Sequence, residues 1–578
     1  MNSSESRAWP SVARGLTAGL CVVALLAGSI LRLVRLDRVP LGWHPDELCN
    51  LYDAYSILTT GRDQWNNFLP LAFKAFGDYR MPLFNYSLVP LTAIFGLNPI
   101  AVRLCAAIWG IADLGAVIIL AGLTLGLPGA AAAAVVGALS PWHLVLSRHG
   151  IETISADTMT TLAMLSFVMW LEWRRDRWLL LSAILFGLSL YSYSIVKAFL
   201  PPMIGVLSLT YWRELNGHRR TALMALGIVA LLALPQAMLF WTHPEMRERF
   251  RVISILSVLW RKGLRLESFG ANFMGYFTPS FLFVTGDRGD HWTMLHPAGF
   301  GQLLPEQAPL ILLAVLGFFN VRRRKFAILM FGWLICAAVP AMLTVPLGAF
   351  SLEKTDIPTA SVLFDYSSVV GDPNLEPAVL LSHPDSRHDA LAMAPWTVVS
   401  ALGFVTLLEL LGRKVLLVSA AAALLLAGVI FHGARFCRTY FGEYVTMAAP
   451  YFQYGAEEAA RQIKELDDGK EILVITRRIS EGYIYILVFG QYPPEWFQRI
   501  AKVKRPWSTG YVLTNFGRYY FVSPYAVYEA VAKNAAGELV RLFAHGIFVF
   551  TGNDLVPAPP KVVIRYPDGT IAYRIVVK

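Results

Sequence analysis

Long apolar runs recur along this chain of 578 residues and constrain its fold more than any other feature. Each run holds about 16 to 25 residues, enough to cross the hydrocarbon core of a membrane as an α-helix. The runs lie at residues 15–33, 100–125, 129–146, 157–173, 178–193, 198–212, 222–240, 304–319, 326–345, 396–411 and 415–431. The sequence therefore predicts a mainly α, polytopic membrane protein with about 11 transmembrane helices.

Basic residues cluster at alternate ends of these runs and predict how the chain crosses the membrane. The clusters are Arg7 with Arg14, Arg174 with Arg175 and Arg177, Arg219 with Arg220, residues 322–325, and Arg413 with Lys414. Cytoplasmic loops carry the excess of Lys and Arg, so an N-terminus inside places every cluster in the cytoplasm and the C-terminus outside. These clusters explain part of the net charge of +10, which therefore implies no nucleic acid partner.

Two apolar segments need a separate interpretation. A twelfth span at residues 82–97 would move every later basic cluster outside, so we expect a helix lying in the outer interface. The large first outer loop is therefore expected to carry juxtamembrane helices. Residues 15–33 are followed by further spans and by no clear cleavage site, so we expect an uncleaved anchor.

Polar sequence large enough to hold a site lies almost entirely on the predicted outer side. The tail has β-branched runs at 471–476, 561–566 and 571–577 beside a polar helical stretch, which is typical of a small α/β domain. We expect a transmembrane catalytic domain over residues 1–432 and an extracytoplasmic α/β domain over residues 433–578. The chain has neither a Walker A motif nor a GxGxxG turn after a strand, which argues against a nucleotide site.

The first outer loop begins WHPDELCNLYDAYSIL, with Asp46 and Glu47 adjacent. Acids in the first turn of a helix commonly stabilise its dipole. A carboxylate beside apolar surface can instead be the general base that takes a proton from a hydroxyl. Neighbouring helical side chains point about 100° apart, so only one of the two acids can face a site.

The same loop continues GRDQWNNFLPLAFKAFGDYRMPL and adds Asp63, Asp78 and Arg80 in turn-rich sequence. Arg80 directly precedes the interfacial helix. There it can anchor to lipid headgroups, or it can bind a phosphate with its planar fork of donors. Both interpretations stay open from these residues alone.

Three later segments bring polar residues to the outer ends of the spans. SRHGIETISADTM holds Asp157, a carboxylate at the membrane boundary that is either a helix N-cap or a functional group. FVTGDRGDHW holds Arg288 and His291, which suit an anion, and Asp287, which we expect in a solvated turn. SHPDSRHDALAMAP sets Arg387 directly before the tenth span.

The order of these motifs resembles that of a known superfamily. An acidic pair after the first span is followed by GDYR-x-P-L, FGLNPIAVRL, SPWHLVLSR, a GD…H loop, WLICAAVPAMLT and a late H…R pair. Over roughly residues 15–430 this resembles the glycosyltransferase C superfamily, in particular the bacterial family of protein O-mannosyltransferases and lipid A aminoarabinose transferases. The resemblance implies a bacterial inner-membrane enzyme that moves a sugar from a polyprenyl-phosphate donor to a hydroxyl on the outer face, with inversion.

The resemblance matches the family's catalytic aspartate to Asp46 and its lipid-phosphate ligand to Arg80, although many relatives have Lys-Pro-Pro where this chain has Arg80-Met81-Pro82. Motifs and resemblance together give three groups of candidates. The catalytic carboxylates are Asp46, Glu47 and Asp157. The donor-phosphate ligands are Arg80, Arg288, His291 and Arg387. The sugar or acceptor site is expected at Asp63, Asp78 and Tyr79.

Alternatives remain at the level of sequence. A transporter or flippase for a lipid-linked sugar would show similar hydropathy, although transporters commonly have duplicated halves and ionisable residues at mid-membrane. A non-catalytic relative that acts through its outer tail is a weaker alternative. The sequence names neither the sugar, hexose or pentose, nor the acceptor, whether lipid, protein or envelope glycan. No cofactor is certain, and a divalent metal bridging the outer carboxylates stays open.

Overall fold

The structure is a computed structural model that describes most of the chain. The described residues are 11–76, 78–243, 246, 267–287, 297–343, 385–412, 414–467, 469, 471–475, 482–501, 504–507, 510–512, 515–522, 546–552 and 558–577. The predicted phosphate ligands Arg288 and His291 lie outside these residues, and only the backbone of Asp78 is described.

Helices form the region that the sequence assigns to the membrane and its outer loops. They are α1 (Ser11–Leu33), α2 (Pro45–Thr60), α3 (Pro82–Phe95), α4 (Ile100–Leu139), α5 (Pro141–Leu146), α6 (Thr153–Trp173), α7 (Asp176–Ser189), α8 (Val196–Thr210), α9 (Trp212–Gly217), α10 (Arg219–Thr242), α11 (Glu267–Gly275), α12 (Gln307–Val315), α13 (Arg324–Leu343), α14 (Met393–Leu411) and α15 (Val415–Tyr440). Within the described residues, 7 helices are long and apolar enough to cross a membrane. The prediction of a mainly α, polytopic membrane protein is confirmed.

Helix α4 is a hairpin with two arms. Gly126 lies inside it with φ 75° and ψ −175°, a conformation that favours glycine, and Pro128 follows. The side chain of Leu114 packs against Gly137, and in a straight helix these residues would be about 35 Å apart. The predicted apolar runs before and after residue 126 therefore correspond to two antiparallel arms.

Three of the predicted spans form shorter helices that pack on longer ones. Helix α7 lies against α6 and α10, α8 lies against α13, and α12 lies against α14. The predicted interfacial segment forms α3, which packs against α2 and α4. Its position in the membrane interface stays a prediction.

The tail forms an α/β domain, as the β-branched runs predict. Its mixed six-stranded sheet has the order β6 (Asn515–Phe516), β7 (Tyr519–Val522), β3 (Ile472–Ile475), β8 (Ile547–Thr551), β10 (Ile571–Val577), β9 (Val562–Arg565). Strand β3 is parallel to both neighbours, and the other pairs are antiparallel. Helices α16 (Glu443–Ala448), α17 (Ala456–Leu466), α18 (Gly482–Phe489) and α19 (Pro494–Ile500) accompany it.

Two small hairpins complete the described strands. β1 (Phe73–Ala75) and β2 (Asp78–Arg80) pair in the first outer loop, and β4 (Lys504–Trp507) and β5 (Gly510–Val512) pair in the tail. The tail domain packs on the outer loop, because α18 and α19 both contact α2. Helix α15 runs through the predicted domain boundary at residue 432, which stays a prediction.

Candidate functional site

Helix α2 carries both predicted acids in its first turn. Pro45 occupies the first helical position, where the missing N–H costs no hydrogen bond. His44 caps the helix: its Nδ1 accepts from the N–H of Asp46, and its own N–H donates to Oε2 of Glu47 at 2.9 Å. This capping box turns Glu47 back toward the helix start and leaves Asp46 on another face.

Glu47 is fully buried and paired with Arg103 of α4. Nε and Nη2 of Arg103 donate to its two carboxylate oxygens at 2.9 and 3.0 Å, and the N–H of Gly150 donates to Oε1 at 3.0 Å. The remaining donors of Arg103 reach main-chain oxygens within residues 36–42. Burial raises the pKa of Glu47, but Arg103 outweighs it and holds that pKa at about 2. This geometry suits a structural role, in which the Glu47–Arg103 pair fixes the start of α2 against α4.

The β1–β2 hairpin brings Arg80 onto Asp46. Nη2 of Arg80 donates to Oδ1 of Asp46 at 2.5 Å, and Nη1 donates to the Asp46 carbonyl oxygen at 3.0 Å and to Oδ1 of Asn50 at 2.8 Å. The guanidinium also lies 5.5 Å from the ring centroid of Phe76. Arg80 is only 7% exposed, which disfavours the alternative of a headgroup anchor.

The Asp46–Arg80 pair is ionised at neutral pH. Burial raises the pKa of Asp46, but Arg80, His44 and Arg387 outweigh it, and the pKa lies at about 2. Burial lowers the pKa of Arg80, but neighbouring groups that include Asp46 and Glu152 raise it above its usual range. The side chain of Asp46 is 33% exposed, so this carboxylate is the accessible member of the pair.

Glu152 is the acid that the sequence analysis did not select. It lies directly before α6, is 9% exposed, and is close enough to Arg80 to raise its pKa. Asp157 was predicted from the same segment because a carboxylate at the membrane boundary is costly and therefore suggests a function. The structure separates the two acids: Glu152 immediately precedes the first helical residue, whereas Asp157 lies more than a turn inside the helix.

Arg387 reaches the same region from the segment before α14. Arg387 lowers the pKa of Asp46, and Asp46 in turn raises the pKa of Arg387, which burial alone would lower. Nε and Nη2 of Arg387 donate to the carboxylate of Asp385 at 3.1 and 2.7 Å. The fold thus brings Asp46 and Arg80 into direct contact and places Arg387 near enough to Asp46 to affect its pKa.

The prediction that Asp287 lies in a solvated turn is wrong. Asp287 is buried and accepts from the N–H and the hydroxyl of Ser386 at 2.7 and 2.6 Å. Burial and the nearby Asp385 raise its pKa to about 7. Its partner lies 99 residues further along the chain, so no local pattern could indicate this contact. The contact ties the segment that carries Arg387 to the preceding outer loop.

Known proteins share this architecture. A family model described as dolichyl-phosphate-mannose-protein mannosyltransferase matches residues 80–241. No curated protein sequence matches the chain. The structure of ArnT from Cupriavidus metallidurans bound to undecaprenyl phosphate aligns over 97% of this chain and 98% of its own, with a TM-score of 0.56 at 13% identity. The apo state of that protein aligns over 98% of both chains, with a TM-score of 0.52 at 14% identity. The chain has the glycosyltransferase C fold.

The fold that the motif order indicates is therefore confirmed. Within this glycosyltransferase C fold, two further predicted residues lie in the first outer loop. Asp63 is buried and closes the turn after α2 by accepting from the N–H groups of Trp65 and Asn67 at 2.9 and 2.8 Å. The ring centroid of Tyr79 lies 6.3 Å from that of His243. A role for Asp63 and Tyr79 at the sugar or acceptor site stays a prediction.

Asp157 lies deeper in the glycosyltransferase C fold, among α4, α5 and α6. It forms a fully buried group with Asp113 and His143, whose potential ligand atoms lie within 4.8 Å of one another. Nη2 of Arg32 lies 2.7 Å from Nδ1 of His143; a guanidinium only donates, so Nδ1 is the acceptor. Nε2 then carries the proton toward Oδ2 of Asp113, 2.9 Å away, and His143 has no free lone pair for a metal. Arg32, His143 and Asp113 thus form a buried hydrogen-bond chain, and the carboxylate of Asp157 lies beside it.

Proposed function

We propose that this chain is an inverting glycosyltransferase that moves a hexose or pentose from a polyprenyl-phosphate donor to a hydroxyl acceptor. The reaction would occur on the extracytoplasmic face of a bacterial inner membrane. The observation that carries the proposal is the contact between Asp46 and Arg80 at the start of α2. A base for the hydroxyl and a cation for the departing phosphate are the two groups that this reaction needs.

The class of protein agrees with the class of donor. A prenyl-linked sugar cannot leave the bilayer, so its enzyme needs membrane-spanning helices and a site near the headgroups. The chain has the glycosyltransferase C fold, and one structure that shares it, ArnT from Cupriavidus metallidurans, is described as bound to undecaprenyl phosphate. The family model over residues 80–241 carries the name of an enzyme that uses a prenyl-phosphate sugar.

The chemistry is a single displacement. The acceptor oxygen attacks the anomeric carbon while the bond from that carbon to the phosphate oxygen breaks, and the leaving phosphate takes the electron pair. Asp46 accepts the hydroxyl proton, and Arg80 and Arg387 stabilise the charge on the phosphate. By sequence, Arg288 and His291 join the phosphate ligands. One displacement inverts the anomeric carbon and needs no covalent enzyme intermediate.

Donor binding would also activate the base. A carboxylate with a pKa of about 2 accepts a proton poorly, and Arg80 is a principal cause of that low pKa. A donor phosphate competes for the same guanidinium, since Arg80 can give its paired N–H groups to either anion. When phosphate replaces Asp46 on Arg80, the carboxylate is released toward the acceptor and its pKa rises. Glu152, close to Arg80, would then hold sugar or acceptor hydroxyls.

Donor turnover tests this function without knowledge of the acceptor. Purified protein in lipid nanodiscs is given a panel of synthetic polyprenyl-phosphate hexoses and pentoses. The polyprenyl phosphate released when water takes the sugar in place of the acceptor is measured, with Asp46→Asn as control. We expect release with at least one sugar and a loss of about 10²–10⁴-fold in the variant. Equal release by Asp46→Asn would contradict the assignment of the base.

The rival function has its own measurement. In proteoliposomes, donor that crosses the bilayer without bond cleavage would support a flippase and contradict a transferase. Mass spectrometry of envelope glycans and glycoproteins, with and without the gene, then identifies the sugar and the acceptor together.

A further inference from the structure

The tail domain reaches the candidate site through Tyr483 of α18. The hydroxyl of Tyr483 donates to Oε1 of Gln64 at 2.9 Å, although the two residues are 419 positions apart. Tyr483 is 1% exposed, and its ring is stacked on Phe497 of α19 with centroids 5.8 Å apart. The tail domain thus places a rigid, buried aromatic side chain against the first outer loop.

Gln64 passes this contact on to α2. Its side-chain amide donates to Oδ2 of Asp53 at 3.0 Å and to Sγ of Cys49 at 3.1 Å, and its main-chain N–H donates to Oδ1 of Asp53 at 3.1 Å. Cys49 and Asp53 are fully buried and lie one turn apart on the same face of α2. Both lie close enough to Arg80 to affect its pKa.

A second contact runs through aromatic rings. The ring of Tyr483 meets that of Phe76 edge to face, with centroids 5.9 Å apart. Phe76 is the ring beside the guanidinium of Arg80, 5.5 Å away. One side chain of the tail domain is therefore linked to Arg80 through the ring of Phe76, and it also holds the Gln64 amide that bonds to α2.

The tail domain also forms hydrogen bonds with the C-terminal half of α2. Nε2 of Gln498, from α19, lies within hydrogen-bonding distance of Ser56 Oγ, Thr60 Oγ1 and the carbonyl oxygen of Asp63, at 3.0, 3.1 and 2.9 Å. The hydroxyl of Tyr52 donates to the carbonyl oxygen of Tyr492 at 3.1 Å. These contacts hold the tail domain, which carries Tyr483, against α2 along the length of the helix.

We propose that Tyr483 is a positioning residue for the donor phosphate: it sets the orientation of Arg80 through the ring of Phe76, while its bond to Gln64 holds the first outer loop against α2. The tail domain is then a structural part of the transferase site. This inference rests on the proposed function, because Arg80 is assigned there to the phosphate. A displacement of about 1 Å in a positioning contact can cost up to about 100-fold in activity, so the effect should be measurable.

A graded pair of variants tests the inference in the full-length protein. The probe is undecaprenyl phosphate, whose affinity is measured in nanodiscs alongside the melting temperature. Tyr483→Phe keeps the ring and loses the hydroxyl, whereas Tyr483→Leu loses both. Tyr573 provides matched controls, since its hydroxyl donates to Gln453 at 3.1 Å inside the tail domain and α2 is not involved. We expect weaker binding by about threefold for Tyr483→Phe and by about tenfold for Tyr483→Leu, with wild-type affinity for Tyr573→Phe and Tyr573→Leu.

A double variant separates positioning from loss of fold. In an Arg80→Gln background the orientation of Arg80 no longer matters, so Tyr483→Leu should weaken binding no further. Additional weakening there, or an equal loss in Tyr573→Leu, would show a merely structural role and overturn the inference. Wild-type affinity in Tyr483→Leu would overturn it too, while the proposed donor stands. Failure of the wild-type protein to bind undecaprenyl phosphate would overturn the proposed donor and the inference with it.

Discussion

Nη2 of Arg80 lies 2.5 Å from Oδ1 of Asp46, so the proposed phosphate ligand and the proposed base are in direct contact. Under the proposed function, this contact would hold Arg80 in place for the donor phosphate and keep Asp46 a poor base until the donor binds. We expect such a site to couple donor binding to base activation, because one guanidinium would serve both anions.

Asp46→Asn should bind undecaprenyl phosphate more tightly than the wild type while losing transfer. The amide removes the charge that competes with phosphate for Arg80, and a partly exposed ion pair is worth up to about 1 kcal/mol, or several-fold in Kd. The measurement is the dissociation constant in nanodiscs. Unchanged or weaker binding would show that phosphate does not displace Asp46.

The pH dependence of the reaction should differ between free and donor-bound enzyme. In the free enzyme the pKa of Asp46 is about 2, so kcat/KM for donor should show no acid limb from Asp46 above about pH 4. Release from Arg80 raises this pKa. As the pH is lowered, the single-turnover rate at saturating donor should therefore begin to decline at a higher pH than kcat/KM does. Coincident acid limbs would contradict the exchange.

The same shift affects stability with a definite sign. A folded-state pKa below the unfolded value of about 3.9 means that the Asp46–Arg80 pair stabilises the fold above that pH. This contribution is lost as the pH falls through about 2. Below about pH 4, the melting temperature of Asp46→Asn should therefore decline less steeply with falling pH than that of the wild type.

Glu47→Gln should damage the fold. Glu47 and Arg103 are both 0% exposed, and breaking a buried pair leaves an uncompensated charge at a cost of about 3–5 kcal/mol. We expect a large drop in melting temperature and in yield. Glu457→Gln is the matched control, because its pair with Arg461 is exposed and should contribute little. A stable but inactive Glu47→Gln would instead support the catalytic role that the sequence suggested.

Glu152→Gln and Asp157→Asn distinguish the two acids of one segment. Glu152 lies close to Arg80, so its amide variant should lose at least about tenfold in donor turnover with the fold intact. Asp157 is fully buried beside Asp113 and His143, so Asp157→Asn should retain more turnover than Glu152→Gln. The reverse order of activities would restore Asp157 as the catalytic acid.

The sequence was a good guide to the elements that local patterns encode. Apolar runs indicate the helices, the interfacial run forms α3, and the run at residues 571–577 coincides with β10. Proline and paired acids mark the start of α2, and helix geometry requires that Asp46 and Glu47 face apart. Asp46 and Arg80, which the motifs match to the family's catalytic aspartate and phosphate ligand, are in contact.

The roles of the buried charges depend on partners far away in the chain. Glu47 pairs with Arg103, which is 56 residues on, and Tyr483 reaches Gln64 across 419 positions. The periodicity of apolar residues and the preferences of turn residues are local and cannot indicate contacts between residues so far apart in the sequence. Sequence patterns therefore could not tell the role of Glu47 from that of Asp46, or the role of Glu152 from that of Asp157. By itself the sequence determined a polytopic helical membrane protein with acids and arginines at the outer ends of its spans. Only the tertiary structure decided which of them meet, because a buried charge is stable only where the fold supplies its counter-charge.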